Sequence, residues 1–243
     1  LFWRADMQER LQKIISRSGA ASRRAAEKLI DSGGAPVNGR PAAPGERPDP
    51  ETDEIAIDGA PPPRAPQLTY IMLNKPRGYV TTMSDEKGRR DVSMLVRGTG
   101  LRLYPVGRLD MYSEGLLLMT NDGDVACRLM HPSHSVDKTY HLWVTGEDVG
   151  ASADAMAKSM LIDGWRIRPA TVERLGRDGE YDKLAVTIHE GRNRQIRKMC
   201  SQCSLKLHRL VRVSEGELSL GRLEPGKWRY LTEKELEYLH SLL

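Results

Sequence analysis

One short segment constrains the fold more than any other. Gly59-Ala60-Pro61-Pro62-Pro63-Arg64-Ala65-Pro66 carries four prolines in eight residues. Each proline fixes φ and lacks a backbone donor, so the run cannot continue a helix or sit inside a sheet. It reads as an extended, semi-rigid spacer. The 243-residue chain is thereby divided unequally, into residues 7–64 (with the linker) and residues 65–243. The larger part is long enough for a single sizeable core.

The first part has the pattern of two short helices and a hairpin. Leu11, Ile14 and Ile15 fall at helical spacing within 9–17. Ser22 is a good N-cap for a second helix, 23–31, with Ala26, Leu29 and Ile30 inside. Gly33-Gly34 ends that helix. Pro36-Val37-Asn38-Gly39-Arg40 predicts a strand turning through Asn-Gly, and 54–58 alternates like another strand. Residues 41–50 hold four prolines and read as a loop.

In the second part, strands are predicted at 68–73, 115–120, 138–144, 183–188, 207–213 and 217–220. Helices are predicted at 124–130, 151–160, 192–203 and 233–243. Strands and helices do not alternate strictly. The expected fold is therefore α+β: a small αα-plus-hairpin domain, the Pro-rich linker, then a larger mixed, mainly antiparallel sheet with flanking helices.

Several classes of function are disfavoured. No apolar run approaches the ~20 residues of a membrane span. The opening LFWRADMQER lacks a signal-peptide core, so no secretory signal is expected, and Met7 is the expected natural start. Three cysteines make no disulfide framework, which points to the cytoplasm. Cys200-x-x-Cys203, with His208 beyond, is half a zinc pattern at a helix end, where Cys is commonly a small buried hydrophobe. His131-Pro132-Ser133-His134, near Ser135 and Asp137, lacks a nucleophile elbow and reads as a loop near a polar ligand. There is no P-loop or dinucleotide fingerprint.

The net charge is +4, and the cations cluster. Lys13, Arg17, Arg23, Arg24, Lys28 and Arg40 bunch on the first part, where they could grip RNA phosphates. The alternative is a solvated face balanced by Glu9, Glu27 and Asp31. A second cluster, Arg192, Arg194, Arg197 and Lys198, opens a predicted helix after a glycine. Arginines there suit an anion or a carboxylate. Arg194 and Arg197 lie three apart and can act together. Ahead of them, Gly107-Arg108-Leu109-Asp110 sets one carboxylate in a glycine-flanked loop before the apolar run Leu116-Leu117-Leu118-Met119.

These motifs together resemble the RsuA/RluB-type ribosomal RNA pseudouridine synthases, over nearly the whole chain. Leu11 through Arg40 resembles the RNA-binding domain named after ribosomal protein S-four. Leu73 to Tyr79 is similar to the segment that opens the family's catalytic domain. Gly107 to Asp110 with Ser113 to Leu117 resembles the catalytic signature. Lys138-Thr139-Tyr140, Gly191 to Arg197 and Leu210 to Val213 match three further motifs. The Pro-rich loop 41–50, and Ser204 where a turn glycine is expected, are less typical.

The resemblance implies an enzyme that isomerises a uridine within ribosomal RNA and needs no cofactor or metal. Asp110 would be nucleophile or base, with Arg197 as its counter-charge. Tyr140 would stack on the flipped uracil and help remove its carbon-5 proton, and Leu210 would pack on the base's other side. Lys75, Arg108, Lys138, Arg192 and Arg194 would contact phosphates. Residues 77–82, His131-Pro132 and Asn193-Arg194 lean toward the large-subunit branch. Small-subunit RNA, or an idle RNA-binding assembly factor, is the alternative; a DNA-binding module is weaker still. Ribosomal RNA is the expected partner, no membrane is involved, and the chain is expected to be a monomer.

Overall fold

The computed structural model describes residues 8–131 and 136–242. The first seven residues, residues 132–135, which include all of the His-Pro-Ser-His motif but its first histidine, and Leu243, the last residue of the predicted helix 233–243, lie outside them. The chain forms two compact units divided after Leu68.

In the first unit, α1 (Leu11–Arg17) and α2 (Arg23–Asp31) are followed by β1 (Pro36–Val37) and β2 (Arg40–Pro41). The Ser22 hydroxyl accepts from Ala25 N, as an N-cap should. Asn38 and Gly39 have φ of 51° and 75°, the two left-handed positions that a tight hairpin requires. Leu11, Ile14, Ile15, Ala26, Ile30 and Val37 form the core. Segment 54–58, expected as a strand, is not one: Ile55 bridges Val37 and Ile57 bridges Ala60, singly. Its partner, β1, is only two residues long, so the ladder stops at the bonds Asn38 N to Glu54 O and Ala56 N to Pro36 O.

The second unit runs β3 (Tyr70–Lys75), α3 (Ser93–Val96), β4 (Tyr104–Pro105), β5 (Glu114–Thr120), α4 (Gly123–Met130), β6 (Lys138–Thr145), α5 (Val149–Met156), β7 (Leu161–Ile162), β8 (Trp165–Arg166), β9 (Thr171–Asp178), β10 (Tyr181–Ile188), α6 (Gln195–Gln202), β11 (Lys206–Glu215), β12 (Leu218–Ser219), β13 (Trp228–Tyr230) and α7 (Glu233–Ser241). The main sheet has the order β13-β3-β5-β11-β6-β10-β9, with β4 on β5 and β12 on β11. Every pairing is antiparallel except β5 with β11.

Alternation along the central strands feeds two cores. Ile71, Leu73, Leu117, Met119, Tyr140, Leu142 and Leu210 share one with Met156, Ile196 and Met199 from α5 and α6. Tyr70, Met72, Leu116, Leu118 and Val211 share the other with Val125 and Leu129 of α4 and Leu239 of α7. The run Leu116–Met119 is wholly buried because its strand is covered on both faces.

The helix read as 151–160 is shorter and earlier, capped by Asp148. The helix read from Arg192 begins at Gln195, with Arg194 as N-cap. Strand β9 was not expected from sequence, since it is an almost wholly exposed edge. Ser204 has φ of 56°, the left-handed backbone that favours glycine.

Helix α7 starts with a capping box, in which Thr232 and Glu235 exchange side-chain and backbone bonds, satisfying two amides at the helix start. Arg229 grips the same carboxylate through two 2.7 Å bonds. Those bonds foremost hold the Glu235 carboxyl down at about 2, from an ordinary 4.5. The stability it contributes is complete above pH 4.5 and lost as pH falls toward 2, because the unfolded chain takes up its proton first. Glu235→Gln is therefore expected to cost about 1 kcal/mol at neutral pH. The gap from wild type in urea melts should narrow as pH drops through that window; a gap that does not change with pH contradicts the pairing.

Candidate active site

The site is built where β3 ends and β5 begins. Lys75 closes β3 and is fully buried. Its ammonium donates to the carbonyls of Pro76 at 3.1 Å, Asp110 at 3.1 Å and Ser113 at 2.8 Å. Thr81 Oγ1 donates to Leu109 O at 2.7 Å and accepts from Leu109 N at 3.2 Å. Gly78 N donates to Met111 O, and Ser113 N to Asp110 O. Each of residues 109, 110, 111 and 113 is thus tied through its backbone. The Asp110 carboxylate projects from this frame with its side chain one-third exposed.

Two guanidinium groups meet that carboxylate. Arg197 Nε lies 3.5 Å and Arg194 Nη1 3.6 Å from Asp110 Oδ2. Arg197 also donates to Tyr112 O at 2.9 Å and Ser113 Oγ at 3.0 Å, so its plane is fixed. Burial lowers its pKa, with Asp110 opposing. Arg194 sits at φ 53°. That left-handed backbone costs a residue with a side chain about 1–2 kcal/mol. The strain falls on a residue that reaches the carboxylate.

Beneath the loop, Tyr140 on β6 stands in register with Arg212 on β11, and both are buried. Burial pushes the Tyr140 phenol up, with Arg212 opposing and Asp110 adding to the rise. Arg212 donates to Leu116 O at 2.8 Å and lies 3.4 Å from Glu215, itself buried. Burial works against the Arg212 charge, but Glu215 and Tyr140 outweigh it and its pKa is raised. Leu210 is buried in the same core cluster as Tyr140.

Two residues expected at phosphates lie elsewhere. The Lys75 ammonium is taken up by three buried carbonyls, and burial brings its pKa down to about 8. Lys138 turns inward, donating to Val136 O at 2.9 Å and pairing with Glu215 at 3.6 Å. Arg108, Arg192 and Arg194 are exposed. In the first unit, Glu9 pairs with Lys13 and Arg17, and Glu46 with Arg40. Arg23, Arg24 and Lys28 are exposed and have no acidic partner among the described residues. Among those residues, too, no three His, Cys, Asp or Glu side chains are gathered to hold a metal. Burial pushes the Cys200 thiol up to about 12, and His208 shares a 2.9 Å bond with Thr145.

The sequence matches the profile of the RNA pseudouridylate synthases over residues 69–202 and that of the S4 domain over 9–55. The chain belongs to the RNA pseudouridylate synthase family. It is 44% identical to an uncharacterised RNA pseudouridine synthase of Mycobacterium tuberculosis, covering 96% of this chain and 93% of that one. It is 37% identical to ribosomal large subunit pseudouridine synthase B of Bacillus subtilis, covering 96% of each. A solved pseudouridylate synthase superposes with a TM-score of 0.67 at 30% identity, covering 95% of this chain and 99% of that one.

Two parts of the synthase escaped sequence reasoning. Arg212 carried a visible signal, a lone charge inside the apolar strand Leu210-Val211-Arg212-Val213; such a charge is rarely buried unless partnered. Gly115 carried none. Its φ is 106°, and a Cβ built there would lie 2.2 Å from Arg212 O and 2.6 Å from Arg212 N. Strands β5 and β11 therefore pair in parallel at this point only because residue 115 has no side chain. Gly115→Ala is expected to cost about 4 kcal/mol or more, or to prevent folding. A variant that melts in urea like the wild type would contradict this account of the strand pairing.

Proposed function

We propose that the synthase isomerises a uridine of large-subunit ribosomal RNA, with Asp110 as the reacting carboxylate. The observation that carries this reading is Asp110 itself: a partly exposed carboxylate on an immobilised loop, faced by Arg194 and Arg197. In the reaction the bond from ribose to the uracil nitrogen breaks, the base turns, and its carbon 5 joins the sugar. Carbon 5 loses a proton and the freed nitrogen gains one, so no cofactor is consumed. A carboxylate fixed to within a fraction of an ångström can serve as nucleophile or base at the glycosidic bond.

The uridine leaves its stack to enter, at a cost of a few kcal/mol. Tyr140 offers a ring to stack on, and Leu210 an apolar contact. A phenol is protonated at neutral pH, and burial moves Tyr140 further in that direction. Stacking is thus its first role, and it can take the carbon-5 proton only after passing on its own. Arg108, Arg192 and Arg194 offer charge to the flanking phosphates. In the S4 domain, Arg23 and Arg24 stand in the first turn of α2, where the helix dipole disfavours cations. With Lys28 they suit a bound polyanion such as RNA. The large-subunit assignment draws on the likeness to the Bacillus subtilis enzyme, and such a substrate places the protein in the cytoplasm.

The test is release of tritium from carbon-5-labelled uridine in large- and small-subunit transcripts. Release is expected from the large-subunit RNA, falling by about a thousandfold or more in Asp110→Asn. Release that survives the substitution would overturn the role of Asp110, and release from the small-subunit transcript alone would overturn the substrate.

A further inference from the structure

Trp165 belongs to neither core and is not among the side chains gathered at Asp110. Trp165 is 61% exposed, as is Leu161 across the same hairpin. The hairpin β7–β8 turns through Asp163 and Gly164, at φ 51° and 78°. It is firmly held. Ile162 of β7 and Ile167, the residue after β8, are buried. Gln202 of α6 donates to Leu161 O at 3.0 Å, and Lys198 of α6 pairs with Asp163. The helix that carries Arg197 therefore also fixes the hairpin.

The Arg192 guanidinium lies 4.8 Å from the centre of the Trp165 ring. Arg192 is two residues, or at most about 7 Å of backbone, from Arg194. Arg194 in turn reaches Asp110 at 3.6 Å. The loop between is fastened by Glu190, which accepts from Arg168 N at 3.1 Å and Gln195 Nε2 at 3.0 Å. A fold gains by burying an indole. Here one is held out in solvent on a rigid support, braced by a cation, at the rim of a site that takes RNA.

We infer that Trp165, braced by Arg192, is a stacking platform for an unpaired base of the RNA strand flanking the target uridine. An indole face accepts any base, and arginine adds to the stack while sitting near the neighbouring phosphate. Exposed Arg166 on β8 supplies a second charge for the backbone. The platform holds the strand beside the flipped nucleotide, so it acts on binding and not on the chemical step. This rests on the reading of Asp110 as the reacting carboxylate.

The test begins with tritium release from the large-subunit transcript. Trp165→Ala is expected to raise KM about tenfold, the low end of what one lost base–aromatic stack costs. Its kcat should stay within about twofold, and Trp165→Phe should restore KM. An unchanged KM, a fall in kcat alone, or a phenylalanine that fails to rescue would overturn the platform. A second arm does not need turnover: anisotropy of fluorescein-labelled oligouridine and of an abasic oligomer of equal length. Wild type should bind the oligouridine more tightly, and Trp165→Ala should abolish most of that difference. Equal preference in both proteins would overturn the proposal. If wild type releases no tritium yet shows a base preference that Trp165→Ala abolishes, the functional reading fails, while stacking of a base on Trp165 is upheld.

Discussion

The site depends on a buried ammonium. Lys75 gives up water entirely and receives three backbone carbonyls in return. Two of these belong to the loop that bears Asp110, and the third to the residue after Lys75 itself. A charge so placed is costly. The fall of its pKa to about 8 reflects that cost, with Asp110 and Glu114 opposing the fall. What it provides is a loop joined to the end of β3 at both ends of its turn. Thr81 and Gly78 add ties from the segment after β3. The carboxylate above then has a fixed position relative to α6, because Arg197 binds the same loop through Tyr112 and Ser113.

The sheet supplies the rest by bringing β11 against β5 in the one parallel pairing. That contact sets Arg212 under the site, in register with Tyr140, and leaves no room for a side chain at residue 115. Arg212 and Glu215 form a buried charged pair joined by Lys138. Such pairs seldom add net stability. Here two cations, Arg212 and Lys138, share the one carboxylate of Glu215, and Arg194 and Arg197 stand beside Asp110, an arrangement suited to a polyanionic substrate.

Much of this was legible in the sequence, for identifiable reasons. The proline run, the Asn-Gly hairpin and the Ser22 cap are local signals whose meaning does not depend on the rest of the chain. The run Leu116–Met119 announced a strand buried on both faces. The motifs around Asp110, Tyr140 and Arg197 pointed to one family, and the structure brings Asp110, Arg194 and Arg197 together. What was hidden depends on long-range pairing. A lysine before a proline looks like a surface cation; only the closing of β3 on β5 buries it. Gly115 reads as the first residue of a strand, and the need for a missing side chain there shows only once β11 lies against it. Strand β9 has almost no apolar pattern because it is an exposed edge, stabilised by its ladder with β10.

The central claim is that the buried Lys75 ammonium sets the position of the Asp110 carboxylate. Its most direct test is the single-turnover rate of Lys75→Met on the large-subunit transcript, measured beside RNA affinity and thermal melting. The methionine fills the space but leaves three carbonyls without their donor, at a cost of about 2–4 kcal/mol. The expected variant is a folded protein of lower Tm, with RNA affinity within about twofold of wild type and a rate reduced at least tenfold. A variant that loses stability and keeps its rate would show that the carboxylate is positioned without Lys75, and would contradict the claim.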